Sequence, residues 1–173
     1  FEHMLFQGSE HVEDERAPRI IAEAGGELNG NTSYDRTVYL QTVPSNHLET
    51  ILWLEADRMG FLLNAVTQEK FEIQRDAVTN EKYQQQMNRP YGMSSEILGQ
   101  TLYPPSHPYN WPIIGYVDDL DRATLDDLRN FFLRWYGPNN AILTLSGDVT
   151  SAQVIPLVEK YFGTINRGPE VRR

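Results

Sequence analysis

Between Gly25 and Pro44 the chain reads as two short strands joined by a tight turn, and almost everything around them reads as helix. Thr37–Val43 alternates: Val38, Leu40 and Thr42 fall on one side, Tyr39, Gln41 and Val43 on the other. Glu27–Thr32 precedes it across the turn Ser33-Tyr34-Asp35-Arg36, and Pro44 closes the second strand. A chain of 173 residues is one domain's worth, long enough for a real core. Strands separated by helical pairs predict an α/β or α+β sandwich with helices packed on one face of the sheet.

The helical segments declare themselves by caps and stops. Residues 1–7 read as the end of a helix halted at Gly8, and His11–Ala24 contains a second helix halted by Gly25-Gly26. Ser45 is the expected N-cap of a helix to about Leu63, with Leu48, Ile51, Leu52 and Met59 on its apolar stripe and Glu55 as a polar exception. Thr67 opens a helix to about Met87, broken by Asn88-Arg89-Pro90, with Phe71, Val78 and Ile73 expected to face the core. Helices are expected over Tyr91–Tyr103, from Thr124 through Trp135, and from Thr150 or Ser151 to Phe162 despite Pro156. Ala141–Ser146 reads as a further strand.

Composition removes several functions. The net charge is −9, with fifteen Asp/Glu against seven Lys/Arg in residues 1–86, so no basic footprint for nucleic acid exists. The same excess places whatever attracts cations in the first half of the chain. There is no cysteine, which excludes disulfide scaffolds, thiolate metal sites and a cysteine nucleophile, and leaves the compartment open. No apolar run approaches the ~18 residues of a membrane span.

The residues with chemistry are few. Glu2-His3 at a helix end is by itself as compatible with a solvated surface as with a site. Glu81 could equally pair with Arg75 or Lys82. Asn29 could form a turn in Asn29-Gly30-Asn31. His11 and His47 read as solvated, His107 as packed in a Pro/Tyr loop, and the three tryptophans as core or rim aromatics.

Taken in order, however, Phe1-Glu2-His3-Met4-Leu5-Phe6-Gln7-Gly8 resembles the end of the inverted zinc motif, H-x-x-E-H, of the insulinase/pitrilysin-like metallopeptidases. Gly25-Gly26-Glu27-Leu28-Asn29 with Thr32, Asp35, Thr37 and Tyr39 is similar to the strand pair after that family's zinc helix. Phe71 through Glu81 resembles the helix that carries its third ligand. Asn88–Gly92, His107-Pro108-Tyr109 and Trp135–Ala141 are similar to its bacterial members.

The resemblance implies a zinc endopeptidase acting on extended peptides. It implies His3 and Glu81 as metal ligands, Glu2 as the general base beside the second histidine, and Asn29 on an edge strand that binds substrate backbone. Gln74 stands where some relatives carry a supporting glutamate. It further implies a mainly antiparallel sheet, a Zn2+ cofactor, and a second homologous domain or subunit that closes a clamshell over the peptide.

The first histidine of the motif falls three positions before Glu2, ahead of residue 1. Residues 1–173 are therefore expected to form one partial N-terminal peptidase domain whose first strands are absent. This piece alone is expected to bind zinc weakly or not at all and to be inactive. The alternative is a non-catalytic homologous subunit with a structural or partner-binding role.

Overall fold

The computed structural model describes residues 1–171. A short 3-10 turn, Glu2–Phe6, opens the chain. Helix α1 (Arg16–Glu23) leads into strands β1 (Glu27–Thr32) and β2 (Thr37–Thr42). Then come α2 (Leu48–Ala65), α3 (Gln68–Lys82), α4 (Ser94–Leu102), α5 (Val117–Arg122), α6 (Leu125–Trp135) and α7 (Ser151–Phe162). The fold is α+β and mostly helical, with one two-stranded antiparallel sheet among the described residues. The hairpin register pairs Glu27 with Thr42 and Asn29 with Leu40.

The opening residues do not continue an α-helix. They form the 3-10 turn, and Gly8 at φ +85° turns the chain away. A side chain at Gly8 would meet the Val12 carbonyl at 2.6 Å, so this reversal needs glycine twice over. Ser45 does not cap α2. With Pro44 just ahead, Ser45–His47 makes a 3-10 turn, and α2 begins at Leu48. Thr67 caps α3 by accepting from Lys70 N–H, and Thr124 forms a capping box with Asp127 on α6.

The hydrophobic core is in two parts, and α2 serves both. Met4, Leu5, Leu62, Val66 and Phe132 form one cluster. Val12, Ile21 and Leu54 form the other, backed by Leu28 and Val43 of the hairpin. A helix covered on several sides shows no single apolar stripe, and for that reason Leu54, Ala56, Asp57 and Arg58 are buried beside the expected Leu52. Glu55 is partnered rather than exceptional. Arg58 and Gln41 both bond to it, while burial pushes its carboxyl above the usual range.

Two apolar assignments fail. Ile73 is 55% exposed, since α3 buries only Phe71 near its start and Lys82 at its end. Ala141–Ser146 joins no ladder among the described residues, and Ile142 is 90% exposed. A strand is completed by a neighbour's backbone, and β1 and β2 pair with each other instead.

Candidate active site

Three elements meet at one cleft. The opening turn presents Glu2 and His3, β1 presents Asn29 and Gly30, and α3 presents Gln74. With Phe6, Gln7 and Leu28 these residues line a space of about 360 Å³. Hydrophobic packing holds the turn in place, because Met4 and Leu5, directly after His3, are buried against Leu62, Val66 and Phe132. Helical geometry aligns the α3 residues: Gln74 and Glu81 lie two turns apart on one face.

His3 Nε2 stands 3.2 Å from Glu81 Oε2, and each side chain is 35% exposed. The other oxygen of Glu81 accepts from Gln85 Nε2 at 2.7 Å. Neither Arg75 nor Lys82 pairs with Glu81. Arg75 bonds the Ala123 carbonyl, and Lys82 bonds Glu96 and the Gly115 carbonyl. Glu2 points to the opposite wall, where Thr32 Oγ1 donates to its Oε2. Its Oε1 lies against β1, 2.9 Å from where a Cβ on Gly30 would sit. Asn29 lies within β1 and not in a turn, and its Oδ1 accepts from Gly30 N–H at 2.8 Å.

The five residues singled out from sequence therefore sit together. Thr32 and Gly30 were not assigned roles beforehand. The period-2 pattern was the available signal: Leu28, Gly30 and Thr32 alternate with Asn29 along β1. The remaining histidines lie elsewhere. His11 bonds Asp57 at 2.6 Å, and His107 stacks on Tyr103 while its Nδ1 accepts from Tyr109 N–H.

The donor set suits zinc. Imidazole nitrogen and carboxylate oxygen are both zinc ligands, and the 3.2 Å gap is close to ~3.3 Å, the edge of a tetrahedron with donors ~2.0 Å from the metal. No group of three or more metal-binding side chains exists among the described residues, and His3 and Glu81 make a pair. Among the described residues, no helix is long and apolar enough to cross a membrane.

Comparison with known proteins gives a consistent answer. The model of the insulinase family (peptidase family M16) matches residues 1–103, and that of the peptidase M16 inactive domain matches residues 122–173. The zinc protease PqqE of Helicobacter pylori is 33% identical over 95% of this chain, and an uncharacterized zinc protease of Mycobacterium leprae is 27% identical over 94%. This chain spans 36% of the length of each. A crystal structure of a protease from Helicobacter pylori superposes with a TM-score of 0.93 at 32% identity, covering 99% of this chain and 40% of that one. The periplasmic protease PqqL of Escherichia coli has the same fold, with a TM-score of 0.83 at 22% identity.

Proposed function

Starting from a chain that belongs to the insulinase family, peptidase family M16, we propose that it is the zinc-bearing part of a metalloendopeptidase that hydrolyses peptide bonds in extended peptides. The observation that carries this reading is the convergence of His3 Nε2 and Glu81 Oε2 at 3.2 Å, with His3 lining a cleft together with Glu2, Asn29 and Gln74.

In this reading His3 Nε2 and Glu81 Oε2 hold the metal together with a histidine upstream of Glu2. When bound, the metal supplies Lewis-acid polarisation of the scissile carbonyl and a lowered pKa for water. Glu2 is the general base. Its Oε2 is fixed by the Thr32 hydroxyl, which leaves the carboxylate oriented to take a proton from the attacking water and to return it to the leaving amine. Gln85 occupies the other oxygen of Glu81 and orients it toward His3. Gln74 offers hydrogen bonds but no charge.

Substrate is bound along β1. That strand pairs with β2 on one side, and Leu28, Asn29 and Gly30 line the cleft. An extended peptide adds there as a further strand, with main-chain bonds giving affinity across varied sequences. We read residues 1–173 as one partial N-terminal peptidase domain, supported by packing across the chain. Phe132 sits among Met4 and Leu5, and the Tyr39 and Tyr136 hydroxyls lie 3.1 Å apart. A second homologous domain or subunit closes over the cleft in the whole protein.

The experiment is peptide cleavage by the full-length protein with a quenched fluorescent peptide. Glu2→Gln should abolish cleavage and leave one zinc bound. A non-catalytic partner subunit is the second reading, favoured by the uncharged Gln74 and by the match of residues 122–173 to an inactive-domain model. A protein that binds zinc and cleaves nothing would select that reading.

A further inference from the structure

The inference rests on the reading of Glu81 as a metal ligand and concerns its neighbour. Lys82 is a charged residue that is almost fully buried, at 3% exposure. Its ammonium donates to Glu96 Oε2 at 3.1 Å and to the Gly115 carbonyl at 2.6 Å, and it lies 5.3 Å from the centre of the Tyr116 ring. Gly115 adopts φ +85°, a conformation that favours glycine, at the point where its carbonyl meets Lys82. Gln100 joins the same group, donating to Glu96 and to the Tyr116 hydroxyl. One ammonium thus ties α3 to α4 and to the loop before α5.

The place of this tie matters. α3 buries two side chains, Phe71 in its first turn and Lys82 as its last residue. Phe71 anchors one end of the helix, and Lys82 anchors the other. Directly after Lys82 the backbone changes period. Tyr83–Met87 is a π-helical turn, and Asn88 N–H reaches back five residues to the Tyr83 carbonyl. The regular ladder of α3 reaches as far as Tyr83 N–H on the Thr79 carbonyl, and the π turn that follows does not continue it. Glu81 itself contributes only a half-exposed pair with His3 and a bond to Gln85. Its position must come from its backbone, which the adjacent residue fixes.

We infer that the buried Lys82–Glu96–Gly115 cluster makes Lys82 a positioning residue for Glu81, setting the last turn of α3 at the distance from His3 that a shared metal requires. A hydrophobic side chain of the same length would fill the space but would not specify the direction. The ammonium meets two oxygens on two different elements, so it fixes the turn in rotation as well as in depth.

The test uses the full-length protein stripped of metal and titrated with cobalt(II), whose visible absorption reports ligand geometry. Wild type should bind one cobalt, and Glu81→Gln should lose it. Lys82→Met and Glu96→Gln should weaken cobalt binding roughly 10- to 100-fold, as for other residues that orient a ligand, and should change the shape of the visible bands. Phe71→Leu, at the far end of α3, should lower the melting temperature and leave the bands unchanged. If Lys82→Met does not fold, Glu96→Gln decides, since it keeps the shape and an acceptor oxygen. Folded Lys82→Met and Glu96→Gln proteins with wild-type cobalt affinity and bands would overturn the inference. A wild-type protein that takes up no cobalt would overturn the ligand assignment, and this inference with it.

Discussion

Asp57 receives the hydroxyl of Ser9 at 2.5 Å, joining the middle of α2 to the chain just beyond the Glu2–Phe6 turn. Both residues are buried, at 4% and 7% exposure, and His11 bonds the same carboxylate through its backbone and its ring. This contact and the Met4–Leu62 packing hold the segment that carries Glu2 and His3. Asp57→Ala would leave the Ser9 hydroxyl buried and unpaired. A loss of about 2–3 kcal/mol is expected from equilibrium denaturation in urea. A loss near zero would show that this carboxylate does not secure the turn.

The same carboxylate gives a pH dependence. The hydrogen bond from His11 to Asp57, reinforced by the nearby negative charge, holds the imidazole above its ordinary range. A raised folded-state value means that the contribution is complete below the unfolded value, about 6.5, and is lost as pH rises through the folded one. His11 is exposed, so solvent screens the effect and the change is small. The urea midpoint should therefore drift down between pH 6 and pH 8, and His11→Ala should flatten that drift. An unchanged slope in the variant would assign the drift to other groups.

Gly8 tests the backbone side of the same segment. Its φ of +85° is costly for any residue with a Cβ, and that atom would stand 2.6 Å from the Val12 carbonyl. Gly8→Ala should destabilise by about 1–3 kcal/mol, read from the same denaturation curves. A neutral substitution would mean that the reversal after the opening turn can relax at little cost.

Local signals in the sequence reached the elements that local chemistry decides. Gly25-Gly26 and Pro44 bounded the hairpin, and Thr67 and Thr124 began their helices by accepting backbone N–H groups. Signals that depend on neighbours were not legible. Ala141–Ser146 has a strand's composition, yet pairing is decided by what lies beside it. The stripe on α2 missed Asp57 and Arg58, since their burial is made possible by Ser9, Glu55 and the Leu5 carbonyl. At the site, Glu2, His3, Asn29, Gln74 and Glu81 were named from an ordered resemblance; the first four line one cleft, and Glu81 pairs with His3. Thr32 and Lys82 were missed as partners because their roles follow from placement, and no residue type announces such a role.

The most direct measurement is zinc binding by calorimetry on two proteins, this chain and a form extended upstream. The account predicts tight binding of one zinc by the extended form, weak or no binding by this chain, and loss of binding from the extended form on Glu81→Ala. Failure of both proteins to bind zinc, or tight binding that survives Glu81→Ala, would contradict the assignment of His3 and Glu81 to a shared metal.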